Sequence, residues 1–283
     1  MSPCYHCKSA RSAFYARENG YDLVKCSVCG LLYVSNPPKI DEIEQAHIQG
    51  VHRGDDTLNV TGAYRPLAKS TYREVLRDLF GASFPDKGSW LDIGCGYGEF
   101  IEVLNELSQG SLNTFGSEPN IYKRKSARQR GLNVEFLDLD NHRKKYHVIS
   151  LLNVYSHLPD PPQFIRNLRG NLVEGGELVI QTGDTAGLSA RDHYRPFYLP
   201  DHLSFVSEEI LAEMLEENGL EIIAVKKYPY LKPGDYSVIK EAIKLILPRY
   251  SSRLRYLILK KYSNTDMYIR ARKVRRVNLS EQE

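Results

Sequence analysis

The stretch that decides the fold is Trp90-Leu-Asp-Ile-Gly-Cys-Gly-Tyr-Gly-Glu-Phe100. Leu91 to Ile93 reads as a short buried parallel strand. Gly94, Gly96 and Gly98 follow at once, and Phe100, Ile101, Leu104 and Leu107 then recur at helical spacing. Strand, glycine-rich turn and helix in that order make the first unit of a doubly wound nucleotide-binding sheet. Glycine in such a turn lets the backbone approach a ligand where a Cβ would collide.

Two acidic residues indicate which nucleotide. A helix N-terminus behind a glycine loop ordinarily faces a pyrophosphate, and Asp92 beside the loop would repel one. Asp92 suits a ligand with positive charge there. Glu118 stands about twenty residues past the loop, after strand-like residues 114–116, at the spacing of a carboxylate that accepts hydrogen bonds from ribose hydroxyls. S-adenosylmethionine has an ammonium, a sulfonium, a ribose and no phosphate, so Asp92 and Glu118 together point to it.

With these residues in place the sequence resembles the class I methyltransferases. LDIGCGYGEF (91–100) is similar to their first motif and GSEPN (116–120) to their second. FLDLD (136–140) sits where the adenine-contacting loop lies, which implies Asp138 and Leu139 as cofactor contacts. ISLLNVYSHLPDP (149–161) resembles the fourth strand and its loop, and GGELVIQ (175–181) the fifth strand with its turn. The likeness covers roughly residues 85–225 plus DMYIRARK at 266–273. Ser156 stands where these relatives often carry Glu before the histidine, so any role of that glutamate does not transfer. The resemblance implies a Rossmann-like sheet of seven strands, the last antiparallel. It also implies cofactor contacts at Asp92, Gly94, Gly96, Gly98, Glu118 and Asn153.

Outside the motifs, 283 residues suffice for one α/β domain and a small appendage. No segment reads as a signal peptide or a membrane-spanning helix. The formal net charge of +3 is too small by itself to imply a nucleic-acid partner. Four of the five cysteines fall in two CxxC pairs, Cys4/Cys7 and Cys26/Cys29, some eighteen residues apart. Each pair offers two thiolates on one tight turn, and four complete a tetrahedron around Zn2+. Gly30 supplies the positive φ a knuckle needs. His6 is a minor alternative ligand. The cysteines suit a reducing, cytoplasmic setting better than a disulfide framework.

Residues 1–37 therefore read as a zinc-ribbon-like module. Residues 38–87 read as a helical connector or cap, with Tyr72, Val75, Leu76 and Leu79 as a buried stripe; His47, His52 and Tyr64 lie where such a segment could cover the site. The main domain is expected over 88–274, and 275–283 as a tail. Strands near 90–93, 113–117, 133–136, 147–152, 177–181, 221–226 and 266–272 alternate with helices near 97–108, 120–130, 162–172 and 207–218. Two insertions, 182–205 and 227–264, fall at the ligand-binding end of the sheet. The first contains His193-Tyr-Arg-Pro-Phe-Tyr-Leu-Pro-Asp-His202. The second carries apolar helical stripes and Lys240, Lys244, Arg249, Arg253, Arg255, Lys260 and Lys261, which suit a helical hairpin with a basic face, an anionic substrate group, or peripheral membrane contact over 236–262.

Methyl transfer from a sulfonium is an in-line displacement, so the protein chiefly orients the acceptor. A hydroxyl acceptor must also lose its proton, and histidine is the natural group for that near neutral pH. His157, after the fourth strand, is the first catalytic or cofactor-shaping candidate and His202 the second. A zinc-binding module ahead of such a domain resembles bacterial sugar methyltransferases of surface-polysaccharide pathways. That resemblance implies a small polar acceptor, a sugar or sugar phosphate, with oxygen as the first-choice atom and carbon the second. The alternatives are an RNA or ribosomal-protein methyltransferase gripping its polymer through ribbon and basic tail, and a non-catalytic scaffold. Intact Asp92, Glu118 and glycines argue against the scaffold. The sequence leaves the oligomeric state open.

Overall fold

The computed structural model describes residues 2–139, 141–193, 195–229 and 264–274. At the N-terminus, Ser12–Glu18 (β1), Tyr21–Cys26 (β2) and Leu32–Val34 (β3) pair antiparallel. Cys4, Leu23, Leu31 and Leu32 are fully buried in a cluster that continues into the main core.

The connector differs from the continuous helical periodicity read in the sequence. Ile40–Gln49 (α1) and Ala68–Phe80 (α2) are separated by a hairpin of Val51–Arg53 (β4) and Thr57–Asn59 (β5). Gly50 is the cause. Its φ of +72° and its N–H on Ala46 O at 2.7 Å end the first helix in a left-handed cap. A Cβ there would press into Thr61 and Asn120, so only glycine lets the chain turn at this point. In α2, Val75, Leu76 and Leu79 are buried as the stripe predicts, and Tyr72 packs edge-on against Phe100 with ring centroids 5.2 Å apart.

The main sheet comprises Gly88–Ile93 (β6), Leu112–Ser117 (β7), Val134–Glu135 (β8), Tyr146–Leu152 (β9), Leu172–Gly183 (β10), Leu220–Tyr228 (β12) and Asp266–Lys273 (β13). A further two-residue strand, Ser204–Phe205 (β11), belongs to the N-terminal sheet. The order is β12-β13-β10-β9-β6-β7-β8, with β13 antiparallel to both neighbours. This is the seven-stranded, doubly wound α/β arrangement read from the alternation of elements. The helices are Glu99–Leu107 (α3), Ile121–Gln129 (α4), Pro161–Gly170 (α5) and Glu208–Glu217 (α6). Phe100, Ile101, Val103 and Leu104 bury one face of α3, whereas Leu107, its last residue, is 43% exposed. Asp160 caps α5 by accepting from Gln163 N at 3.0 Å with proline in the first turn, and Ser207 caps α6 by accepting from Ile210 N.

Two features aim this scaffold at a ligand. β6 pairs with β7 on one side and β9 on the other, so the strand order reverses beside it and opens a crevice at the strands' C-terminal ends. The N-terminal sheet then covers that end: β11, from the insertion after β10, pairs with β3 as its fourth strand. The basic hairpin expected over 227–264, with Lys240, Lys244, Arg249, Arg253, Arg255, Lys260 and Lys261, lies outside the described residues apart from its ends. The same holds for the membrane contact expected over 236–262. Among the described residues no helix is long and apolar enough to cross a membrane.

Candidate active site

β6 delivers Asp92 to the floor of the crevice, 2% exposed. Ser150 on β9 donates its hydroxyl to Asp92 Oδ1 at 2.6 Å and accepts from Trp90 Nε1 at 2.9 Å, so one serine fixes the carboxylate. Burial raises the Asp92 pKa to about 7, against the Ser150 hydrogen bond and with help from the Glu118 and Glu99 charges. The three glycines have different tasks. A Cβ on Gly94 would strike Val154 and one on Gly98 would strike Leu132, whereas Gly96 faces open space. All three have positive φ. Glu118 accepts from Gly96 N and Asn120 N, both at 2.8 Å, and so ties the loop to the start of α4. Asn120 caps α4 by accepting from Tyr122 N and Lys123 N.

The loop is thus ringed by Asp92, Glu99 and Glu118, with acids at the first turn of α3. That ring cancels the attraction a helix N-terminus has for phosphate and favours a cationic ligand. S-adenosylmethionine fits the chemistry of this set: Asp92 would hold its cationic groups and Glu118 its ribose, and Gly96 has an open flank. Residues 60–66 close over the loop. Tyr97 donates to Gly62 O at 3.0 Å, Tyr64 donates to Glu102 at 2.6 Å, and Arg65 N donates to Glu99 at 2.6 Å. Leu139 packs half-buried against the core, and Asp138 is exposed and accepts from Asn141.

The opposite wall is the loop after β9 with the insertion after β10. Asn153 has a φ of +58° and its N–H on Gln181 O. A cavity of ≈ 110 Å³ opens here, lined by Asn153, Gln181, Thr182, His202, Phe205 and Asp266 among others. His157 Nδ1 donates to Asp201 O at 2.9 Å and lies 3.1 Å from Asp201 Oδ1. The His202 ring lies 4.8 Å from that of His157. Two further histidines arrive from the connector. His52 Nε2 is 3.0 Å from Asp201 Oδ1, and the His47 ring stands 6.2 Å from that of His157. Burial lowers the His157 pKa, but the Asp201 charge and hydrogen bonds overcome it and leave it raised. Burial, reinforced by His157, lowers His47 and His202 to about 4. Asp201, although buried, is held well below the usual carboxylate range by the charge and hydrogen bond of His157.

The four paired cysteines come together at the far end of the same wall. Cys4 Sγ lies 3.6 Å from Cys29 Sγ and Cys7 Sγ 3.4 Å from Cys26 Sγ, with all four within 4.8 Å. Disulfide sulfurs stand about 2.05 Å apart; a tetrahedron with bonds of about 2.3 Å has edges near 3.8 Å. The two turns match: Lys8 N donates to Cys4 O and Gly30 N to Cys26 O, with φ of 60° and 82°. His6 instead meets Glu213, 3.2 Å away.

A family model described as a methyltransferase domain matches residues 64–225. The chain belongs to that family. Together with the sheet order, this makes it a class I, S-adenosylmethionine-dependent methyltransferase. Among curated relatives it is similar to a ubiquinone biosynthesis O-methyltransferase of Aliivibrio fischeri, 23% identical over 172 residues, covering 55% of this chain and 71% of that protein. The enzyme of the same name from Serratia proteamaculans is 28% identical over 155 residues, covering 52% and 64%. Among solved structures, a SAM-dependent methyltransferase from Archaeoglobus fulgidus has a TM-score of 0.53 at 21% identity, covering 75% of this chain and 95% of that one. The [4+2]-cyclase SpnF has 0.51 at 16% identity, covering 75% and 83%. These last two likenesses show the fold alone, and the site must speak for the chemistry.

In this methyltransferase Asp92, Gly94, Gly96, Gly98 and Glu118, read from the motifs, fall on one side of the crevice, and Asn153, His157 and His202 come together on its opposite wall. The sequence reading passed over Ser150 and Asp201. It placed His47 and His52 only in a covering segment. Asp201 immediately precedes His202 in a histidine- and aromatic-rich insertion, which was the available signal; a serine inside a buried strand gave none.

Proposed function

We propose that this methyltransferase moves the methyl group of S-adenosylmethionine to a hydroxyl oxygen of a small polar molecule, a sugar or sugar phosphate. The observation that carries the reading is the cavity between Asn153 and His202. Polar Asn153, Gln181, Thr182 and Asp266 line it together with aromatic Phe205 and His202, a mixture that suits a ring bearing several hydroxyls. Its ≈ 110 Å³ holds several waters, and so accommodates one edge of such a ring. The O-methyltransferase names of the curated relatives support oxygen as the accepting atom. The lysines and arginines of the second insertion would suit an anionic handle such as a diphosphate.

Asp92, the glycine loop and Glu118 hold the cofactor, with Asp138, Leu139 and Asn153 completing its contacts. His157, held by Asp201, activates the hydroxyl, and His202 shapes the cavity beside it. The Cys4, Cys7, Cys26 and Cys29 thiolates bind one structural Zn2+; four protein ligands leave it no open position for catalysis. The protein works in the cytoplasm. The test is transfer of labelled methyl groups from S-adenosylmethionine to a panel of nucleotide sugars and sugar phosphates, with phenols and RNA as comparison acceptors. Transfer to a sugar hydroxyl, with His157→Ala lowering kcat at saturating acceptor, supports the reading. Preference for a phenol or for RNA overturns it.

A further inference from the structure

The cluster around Asp201 is unusual in what it gathers and in what it leaves unsatisfied. His47 comes from the end of α1, His52 from β4, His157 from the loop after β9 and Asp201 from the insertion, four segments well separated in sequence. One ligand-type atom each of His47, His157 and Asp201 lie within 4.8 Å of one another. Asp201 Oδ1 has two close imidazole neighbours, His52 Nε2 at 3.0 Å and His157 Nδ1 at 3.1 Å. The hydrogen bond of His157 Nδ1 goes instead to the Asp201 backbone oxygen. His52 Nε2 has no hydrogen bond of acceptable geometry despite its short contact, and His47 Nε2 is buried with no partner at all.

An orphaned buried imidazole nitrogen is destabilising, and two side by side would be a poor way to stabilise a wall of the cleft. The spacings have another meaning. Two atoms bound to one ion at about 2.0–2.1 Å stand roughly 2.9–3.4 Å apart, depending on the angle. The 3.0 Å contact between His52 Nε2 and Asp201 Oδ1 falls within that range. With its Nδ1 proton on a backbone carbonyl, His157 keeps the lone pair of its other nitrogen, the usual way in which a ligating histidine is oriented.

We propose that His47, His157 and Asp201, with His52 beside them, bind a divalent first-row transition-metal ion beside the acceptor cavity, from which the His157 ring is separated by His202. This ion is separate from the one at the four cysteines. Two imidazoles and one carboxylate favour such a metal over magnesium or calcium and leave coordination positions for the acceptor. The inference rests on the methyl transfer proposed above and gives its acceptor site a chemistry. The ion binds the acceptor hydroxyl and lowers its pKa as it lowers that of bound water. The proton passes to solvent; the O–CH3 bond forms as the S–CH3 bond breaks; S-adenosylhomocysteine leaves. His157 then acts as a ligand that holds the activating ion.

The experiment is titration of the chelator-treated full-length protein with Co2+, read by metal analysis and absorption. Bound cobalt at the cysteines shows intense thiolate charge-transfer bands, whereas cobalt on nitrogen and oxygen shows only weak ligand-field bands. The site predicts an equivalent with the second signature, weakened more than about tenfold in His47→Gln and in Asp201→Asn. Retained thiolate bands and unchanged far-UV circular dichroism would show that these variants fold. The proposal is overturned if the wild type takes up cobalt only with thiolate bands, or if both variants bind the nitrogen–oxygen equivalent as tightly as the wild type. Labelled methyl transfer, followed in the same samples, separates the two claims. Metal-free protein with full transfer activity sinks the ion and spares the transferase reading; a bound ion without transfer to any hydroxyl does the reverse.

Discussion

Asp92 is a carboxylate whose burial works against its charge until a cationic ligand arrives. With its pKa raised to about 7 by burial, it is protonated below neutrality, and the protonated form offers a sulfonium or ammonium no charge. Affinity for S-adenosylmethionine should therefore rise with pH up to about 7 and level off above it. The loss on the acid side approaches tenfold per pH unit. Ser150→Ala removes the hydrogen bond that lowers this pKa, so the rise should move to higher pH; calorimetry across about pH 6 to 8 reads both. An affinity independent of pH would separate Asp92 from the ligand. Glu118→Gln weakens both the ribose contact and the tie to Gly96 N and Asn120 N, at a cost of about 1–3 kcal/mol in binding. Unchanged affinity in that variant would remove Glu118 from the site.

At the scale of elements, the wall that carries His157, Asp201 and His202 is built on the N-terminal sheet. β11 pairs with β3, Val34 N donates to Leu203 O, and Leu203 N donates to Ser156 O at 2.6 Å. At the end of β1 the Glu18 carboxylate accepts from Phe197 N at 2.8 Å and Leu199 N at 3.1 Å, just ahead of Asp201 and His202. Glu18→Ala strips two buried amides of their partner and should lower stability by about 1–3 kcal/mol. It should also raise KM for the acceptor and leave S-adenosylmethionine affinity intact; equal damage to both sites would show that the two walls are not separable. This partnership also marks where sequence reading stops. The strand, glycine loop and helix around Asp92 were legible because neighbours in sequence make them. β11 has two residues and no period to detect, and the β4–β5 hairpin hides in a polar stretch marked only by Gly50, Gly54 and Gly62. His47, His52, His157 and Asp201 meet only after four segments have folded, so their assembly was invisible although each residue was in view.

On the scale of the whole molecule, the ring of acids around the glycine loop would bind the cofactor, and the four-cysteine module supports the wall that carries Asp201 and His202. Each CxxC turn ends on a left-handed residue, Lys8 or Gly30, beside three short strands; an ion bound there would add to the stability these strands draw from the main core. Carefully prepared protein should contain zinc at the thiolates, and Cys26→Ser should lose it together with acceptor turnover while S-adenosylmethionine still binds. Metal analysis finding none at the thiolates would refute the ribbon. The central claim, that this crevice takes S-adenosylmethionine through Asp92, is tested most directly by titrating the cofactor into the wild type and Asp92→Ala above neutral pH. Saturable one-to-one binding that Asp92→Ala abolishes, with its fold retained by circular dichroism, is the predicted result. No binding to the wild type, or equal binding to both proteins, would contradict it.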